Sequence, residues 1–349
     1  MLNYMRRAVA EDASDLFVVS GMPVCLKEEG SLKPADEIKV MPDRAGELVR
    51  ELYALAKRDI RFLEERGDDD FSLSVVGLAR FRVNAYRQRG SLAAVIRVVR
   101  FEIPDRTAMG LPDEVMKVAE LSRGLVLVTG PAGSGKSTTM ACITDAINRN
   151  RSGHIITIED PIEYLHRDIN CIVSQRELST DTDSYATAMR ASLRQAPDVI
   201  MLGEMRDQET IQTAMTAAET GHLVISTLHT VGAVNTIDRI IDVFPPNQQQ
   251  QIRVQLAMVL KTVISQQLLP TLQGGMTPAF EIMHLNNAIR TLIRDSRTHQ
   301  INAAIQSSAA EGMIGMDESI LRLARAGKVS KEVALRYAME PDPLQRKLG

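Results

Sequence analysis

One short segment constrains the fold of this chain more than any other feature of its sequence. An apolar run, LVLVT (125–129), leads directly into GPAGSGKST (130–138), and helical spacing follows over 136–149. The pattern G-x-x-x-x-G-K-[ST] between a strand and a helix is typical of a loop whose backbone N–H groups surround phosphate oxygens. Its glycines allow the chain to curl, and the helix N-terminus adds positive potential. The segment therefore predicts an α/β domain that binds a nucleoside triphosphate.

Each position of this loop has an expected role in binding ATP and Mg²⁺. We expect Lys136 to bridge the β- and γ-phosphates, Ser137 to bind Mg²⁺ and Thr138 to hold the region of the α-phosphate. The remaining residues are expected to surround the phosphates: Gly130, Pro131, Ala132, Gly133, Ser134 and Gly135. A glycine-rich turn without a ligand is the alternative, and the strand and helix on either side count against it.

Three further apolar runs predict the rest of a sheet. They are HIITI (154–158), DVIML (198–202) and HLVIST (222–227). Unbroken apolar runs are typical of parallel strands that helices cover on both faces. Helices are predicted at 136–149, 184–194, 207–220, 232–241 and 247–267, and throughout the tail beyond 285. The fold class is therefore α/β with a helical C-terminal tail.

Acidic residues follow two of these predicted strands. Glu204 comes directly after DVIML and a glycine, at the strand end where open α/β sheets bind ligands, and we expect it to act on the metal side. ITIEDPIEY (156–164) adds Glu159 as a further Mg²⁺ ligand and Glu163 as the general base that polarises the attacking water. A surface glutamate at a strand end, or an acidic turn without a catalytic role, stays open as the alternative.

Two histidines lie at opposite ends of the strand in TGHLVISTLHT (220–230). His229 lies at the C-terminal end, where it could sense the γ-phosphate, whereas His222 is expected to serve packing or a subunit contact. Seven residues of strand span about 23 Å, so both imidazoles cannot contact one phosphate. An ordinary structural role is the alternative for His229.

The first hundred residues predict a separate α/β domain. Residues 15–19 form a short apolar run, a helix is expected at 43–57, and strands are expected at 70–76, 79–86 and 92–99. Alternation places Arg80 and Arg82 on the polar face of one strand. The segment 101–114, with two prolines and a glycine, is the best linker. We therefore predict domains at 1–100 and 115–349, the second including the helical region 285–349.

Composition excludes several classes of protein. The net charge is −3, aromatic residues make up 4% and tryptophan is absent, so neither a general phosphate-backbone binder nor a base-stacking platform is expected. The three cysteines stand far apart, which excludes a disulfide framework and a four-thiolate zinc site. No signal peptide and no run apolar enough to span a bilayer is visible, so a cytoplasmic protein is expected.

Four segments of this chain, in their order, closely resemble the motifs of the secretion and pilus motor superfamily of hexameric ATPases. They are GPAGSGKST, ITIEDPIEY, DVIMLGEMRD and TGHLVISTLHT. Within this superfamily the chain resembles the PilT family of type IV pilus retraction ATPases, which power twitching motility. The segment AIRTLIRD (288–295) carries the most specific resemblance, because it matches the helical retraction motif of that family. Three residues depart from the family pattern: Phe17, Thr291 and Asp295.

This resemblance implies a PAS-like N-terminal domain, a RecA-like ATPase domain and a homohexamer that hydrolyses ATP. It implies that arginines of the N-terminal sheet reach the γ-phosphate, a role that matches Arg80, Arg82 or Arg97. The expected partners are an inner-membrane pilus platform protein and a retraction paralogue, and the expected location is the inner face of the cytoplasmic membrane. No nucleic acid is expected as a partner.

Three other functions stay open at this point. The phosphate loop would also suit a related secretion ATPase, a RecA-like nucleic-acid motor or a nucleotide-controlled binding module with little turnover. The helix around Arg290 and Arg294 has an amphipathic pattern that ordinary packing with a solvated basic edge explains as well as partner docking does.

Overall fold

The computed structural model describes residues 1–28, 31–99 and 103–349. The chain divides into two compact units, Met1–Glu102 with Glu163–Leu165, and Ile103–Ile162 with His166–Gly349. Residues 101 and 102 of the predicted linker lie outside the described residues. The domain boundaries at 1–100, 101–114 and 115–349 stay a prediction.

The first unit is an antiparallel sheet covered by helices. Within its described residues the strand order is β3-β2-β1-β6-β5-β4. The strands are β1 (Asp15–Val18), β2 (Cys25–Glu28), β3 (Ser31–Pro34), β4 (Asp68–Val75), β5 (Ala79–Gln88) and β6 (Ser91–Val99). The helices are α1 (Leu2–Ala10), α2 (Pro42–Ala56) and α3 (Arg61–Arg66). Leu48 and Leu52 of α2 share one buried cluster with Phe81 and Val83 of β5, so the apolar face of the sheet packs under this helix.

The polar face of this sheet carries the predicted arginines. Arg80 is partly buried and Arg82 is exposed, whereas Phe81 between them is fully buried, which confirms the alternation predicted for this strand. Arg97 of β6 lies directly opposite Arg82 in the strand register. Its Nε lies 2.9 Å from Oδ1 of the buried Asp15. That the unit is PAS-like stays a prediction.

The second unit is built on a mixed sheet. Its strand order is β13-β12-β7-β11-β10-β8-β9, and all pairs are parallel except β12 with β13. The strands are β7 (Gly124–Thr129), β8 (Gly153–Glu159), β9 (Cys171–Glu177), β10 (Val199–Leu202), β11 (Leu223–Leu228), β12 (Leu260–Pro270) and β13 (Met276–His284). The helices of its first part are α4 (Asp113–Met116), α5 (Lys136–Asn150), α6 (Tyr185–Ser192), α7 (Gln208–Glu219), α8 (Ala233–Asp242) and α9 (Pro246–Val259).

The four strands predicted from apolar runs are confirmed as β7, β8, β10 and β11. Helices pack on both faces of these strands, so residues that point to opposite faces are equally buried. Leu125, Ile156, Ile200 and Val224 belong to the cluster on one face, and Val126 to the cluster on the other. This two-sided burial is the reason that the runs contain no alternation of polar and apolar residues.

The helix predicted at 247–267 is wrong in its second half. The helix α9 ends at Val259, and β12 begins at the next residue. The segment contains three consecutive β-branched residues, Thr262, Val263 and Ile264, which favour a strand. The strand pairs with β7 on one side and with β13 on the other, so sheet hydrogen bonds replace the helical ones. The edge strands β9 and β13 were not predicted.

The tail beyond 285 is mainly helical, but not throughout as predicted, because turns separate its helices and Ile314 forms a bridge with Ile282 of β13. It forms α10 (Asn287–Arg294), α11 (Ile301–Ser307), α12 (Met316–Arg325), α13 (Lys331–Tyr337) and α14 (Pro341–Leu348). Among the described residues, no helix has the length and apolar character needed to cross a bilayer.

Candidate nucleotide-binding site

The predicted phosphate loop connects β7 to α5. Gly130, Gly133 and Gly135 have φ angles of 144°, 75° and 87°, in the region that glycine adopts without strain. At Gly130 a Cβ atom would lie 2.2 Å from the backbone oxygen of Gln266 in β12, so the loop has no space for any side chain there. The curl of the loop, which the glycine pattern predicts, therefore requires glycine at these positions.

Lys136 lies at the start of α5 with its ammonium group directed back over the loop. Its Nζ donates hydrogen bonds to the backbone oxygens of Gly130 and Pro131, each at 2.9 Å, and only 9% of the residue is exposed. Ser137 is exposed one residue further on, in the first turn of the helix. A cation and a hydroxyl group thus stand at a helix N-terminus, an arrangement suited to binding phosphate oxygens.

Backbone hydrogen bonds bring four strand ends side by side at one edge of the sheet. Gly130 N donates to Leu228 O at 3.3 Å, and Met205 N donates to Thr227 O at 3.1 Å. Gly203 N donates to Ile158 O at 2.8 Å. The phosphate loop, the residue after β11, the residues after β10 and the end of β8 therefore lie in that order along the edge, where open α/β sheets bind ligands.

Glu204 and His229, predicted separately, contact each other at this edge. The Nε2 atom of His229 lies 3.3 Å from Oε2 of Glu204, and Arg206 Nε lies 2.6 Å from the same oxygen. The Glu204 side chain is 13% exposed, whereas His229 is 53% exposed. His222 lies before β11, at the opposite edge, with its Nδ1 3.0 Å from Ala217 O. The prediction that the two histidines are separated by the strand is confirmed.

Glu159 lies at the end of β8 and is held by two neighbours. Its Oε1 accepts hydrogen bonds from Thr157 Oγ1 at 2.6 Å and from Gln175 Nε2 at 3.2 Å, and the residue is 8% exposed. Glu163 is exposed and groups with the first unit. Its role as general base stays a prediction.

The edge strand β9, which was not predicted, supplies side chains that hold both ends of the acidic loop. The Oε2 atom of buried Glu177 accepts from Ile162 N at 2.9 Å. Gln175 Oε1 accepts from His166 N at 2.8 Å while its Nε2 donates to Glu159. Apart from the β-branched pair IV at 172–173, the sequence carries little signal for this strand.

Tyr185, at the start of α6, is a further residue that was not predicted for the site. Burial raises the pKa of its phenol, and the nearby carboxylates of Glu204, Asp160 and Glu159 raise it further. A Cβ atom at Gly203 would lie 2.7 Å from the Tyr185 hydroxyl oxygen. The glycine before Glu204 therefore leaves room for this phenol among three acids.

Comparisons with known proteins agree with this geometry. The model of the family "Type II/IV secretion system protein" matches residues 1–278. The type IV pilus retraction ATPase PilT of Pseudomonas aeruginosa is 41% identical over 332 residues, which cover 95% of this chain and 96% of that protein. The type IV pilus ATPase PilU of the same organism is 37% identical and covers 98% of this chain and 89% of its own.

A solved structure extends the likeness to three dimensions. The crystal structure of the pilus retraction motor PilT with bound ADP superposes with a TM-score of 0.91 at 43% identity, covering 99% of each chain. Likeness over nearly the whole length, with the phosphate loop and three strand-end segments in place, identifies the second unit as a RecA-like ATPase domain. The chain belongs to the type II/IV secretion system protein family and, within it, to the PilT family of type IV pilus retraction ATPases.

Proposed function

We propose that this chain binds and hydrolyses Mg²⁺-ATP at the edge of its second sheet and uses the energy to retract type IV pili. The single observation that carries the proposal is the contact between Glu204 and His229 beside the phosphate loop. Glu204 follows β10 and His229 follows β11, the two strands that lie in succession on one side of β7 in the sheet order. The bound ADP of the similar PilT structure supports nucleotide as the ligand.

In this proposal the phosphate loop binds the phosphates through its backbone N–H groups, and Thr138 supports the α-phosphate region. Lys136 exchanges its two loop carbonyl partners for β- and γ-phosphate oxygens, because charge-assisted hydrogen bonds to phosphate are stronger than those to neutral carbonyls. The residues that surround the phosphates are those of the glycine-rich loop: Gly130, Pro131, Ala132, Gly133, Ser134 and Gly135.

The oxygen groups at this edge fit Mg²⁺. Among the described residues, no cluster of three or more His, Cys, Asp or Glu side chains could hold a metal by itself. Mg²⁺ in nucleotide sites is usually bound by one or two carboxylates, because phosphates and water complete its shell. The exposed Ser137 and the carboxylates of Glu204 and Glu159 would hold the ion, which when bound offsets the phosphate charge.

Glu163 is the proposed general base. The residues on either side of Glu163–Leu165 are held by β9, since Ile162 N donates to Glu177 and His166 N donates to Gln175. Arg80, Arg82 and Arg97 are proposed to offset the negative charge of the γ-phosphate, as the family resemblance implies. His229 would report the presence of that phosphate to Glu204.

The proposed working form is a homohexamer in the cytoplasm, at the inner face of the cytoplasmic membrane. There it would act on an inner-membrane pilus platform protein. A retraction paralogue is a further proposed partner, and the similarity to PilU, a second pilus ATPase of one organism, is compatible with such a pair.

The substitutions Glu163→Gln and Glu204→Gln test the chemistry. We expect each to lower the turnover of ATP by at least about 100-fold while ADP still binds, because both remove charge without changing shape. Glu120→Gln, at an exposed position away from the sheet edge, is the matched control and should hydrolyse ATP like the parent. Turnover of Glu163→Gln within about twofold of the parent would remove the general base from the proposal.

A further inference from the structure

We propose that Gln266 is a positioning residue that holds the phosphate loop in the curled form needed to receive phosphate. This inference rests on the proposed nucleotide site. Gln266 lies in β12, the neighbour of β7, and is 2% exposed. Its predecessor Ser265 pairs with Thr129, the last residue of β7, so the strand register brings Gln266 alongside Gly130.

Gln266 contacts the loop at its start and beyond its middle. Its backbone oxygen occupies the space that a Cβ atom at Gly130 would need, at 2.2 Å. Its Nε2 donates a hydrogen bond to the backbone oxygen of Ser134. Its Oε1 accepts a hydrogen bond from Thr139 Oγ1, in the first turns of α5, at 2.8 Å. One buried side chain therefore connects the loop to the helix that follows it.

The direction of the Ser134 carbonyl gives this contact its importance. A loop that points successive N–H groups toward phosphate must point its carbonyl groups elsewhere, and a buried carbonyl needs a donor. Gln266 supplies that donor. Since Oε1 is occupied by Thr139, the side chain must donate at one end and accept at the other, which an amide can do and an ionised carboxylate cannot.

If Gln266 served only to pack the interior, a different result would be expected. If Gln266 only fills the interior, its replacement lowers the thermal stability of the protein but leaves the nucleotide affinity of the folded molecules unchanged. The positioning role requires the affinity for ADP to fall because the loop loses the hydrogen bond that orients Ser134.

The test compares the full-length chain carrying Gln266→Glu, Gln266→Met or Gln267→Met, with ADP as the probe. Gln267 is the control, because its amide is directed to Tyr337 O at 3.4 Å and not to the loop. At about pH 8 we expect Gln266→Glu and Gln266→Met to bind ADP at least about tenfold more weakly than the parent, and Gln267→Met to bind like the parent. The thermal midpoint without nucleotide is measured alongside.

A shift of pH separates the lost donor from lost packing. At about pH 5.5 a buried carboxyl that faces a carbonyl oxygen is expected to be protonated, since burial raises its pKa. It can then donate to Ser134 O and accept from Thr139. Relative to the parent at the same pH, Gln266→Glu should therefore regain most of its ADP affinity, whereas Gln266→Met should not.

The outcomes distinguish this inference from the function on which it rests. If the parent binds ADP and both Gln266 variants bind within about twofold of it, the positioning role is overturned and the proposed function stands. If Gln266→Glu is equally weak at both pH values, the donor argument is wrong. A parent that fails to bind ADP overturns the proposed function itself.

Should the Gln266 variants not fold, Thr139→Val is the second test, because it removes one partner of the Gln266 amide. We expect it to weaken ADP binding about threefold, and unchanged affinity would also overturn the inference.

Discussion

The imidazole of His166 should make the second unit sensitive to acid. Burial lowers the pKa of this side chain from 6.5 to about 4, and the carboxylate of Asp145 opposes the shift only in part. Its Nδ1 atom is buried without a hydrogen-bond partner among the described residues. A protonated ring would leave that N–H unpaired in the interior, so the folded protein holds the neutral form.

The size of the effect follows from the two pKa values. The folded protein binds the proton only near pH 4, whereas the unfolded chain binds it near pH 6.5, so between these values the unfolded state carries more protons. The stability is then fully present above the unfolded pKa and is lost as the pH falls. From about pH 7.5 to about pH 5 the free energy of unfolding should fall by about 2 kcal/mol on account of this group.

Urea unfolding followed by far-UV circular dichroism measures this loss. His166→Leu removes the titrating group but keeps the backbone hydrogen bond from His166 N to Gln175. The parent and the control His299→Gln, at an exposed position, should lose about 2 kcal/mol more than His166→Leu over this pH range. Other titrating groups cancel in that difference.

An NMR titration gives the same quantity directly, as the pKa of the His166 ring. An equal loss of stability in parent and variant, or a His166 ring that titrates near 6.5, would refute the reasoning that burial without a partner keeps this imidazole neutral.

Three more substitutions test the site and the tail. Gly130→Ala should abolish ADP binding in a titration and lower the free energy of unfolding by about 1–3 kcal/mol, because the added carbon would lie 2.2 Å from a backbone oxygen. An unaltered affinity for ADP would contradict this close approach. Lys136→Ala should weaken ATP binding about 10–100-fold, measured with a fluorescent analogue, and a change below threefold would remove the lysine from the phosphates. Arg294→Ala should keep ATP hydrolysis but stop pilus retraction in cells, and unimpaired retraction would exclude docking through this side chain. Arg290→Ala is a less selective probe, because Arg290 Nε donates to Ala257 O at 3.1 Å and so helps to hold α9 against α10.

The sequence alone was sufficient to predict the parts of the site that depend on local patterns. The spacing of the glycines, Lys136 and Ser137 between an apolar run and a helix predicts the loop, because backbone curl and helix start are properties of neighbouring residues. The apolar runs also place Glu204 and His229 at the ends of strands. Parallel strands present their carboxyl ends at the same edge, so their proximity could be expected, although the 3.3 Å contact could not.

The same local patterns failed where the sheet overrides helical preference. The segment after Val259 contains Gln and Leu residues that suit a helix, yet it becomes β12 because unpaired backbone groups of β7 and β13 are available on both sides. Edge strand β9 was missed for a related reason. Its side chains are mostly half-exposed, so it lacks the apolar run that revealed the central strands.

Only the tertiary structure decides which residues support the predicted ones. Gln266 reaches the oxygen of Ser134 across a separation of 132 residues, and Gln175 reaches Glu159 from the next strand. Neither glutamine belongs to a motif, because an amide acquires such a role only when strand register brings it opposite a buried group that needs a partner. The residues that would contact the phosphates can therefore be predicted from their spacing along the chain, whereas the hydrogen bonds that hold them in place arise from pairing between distant strands.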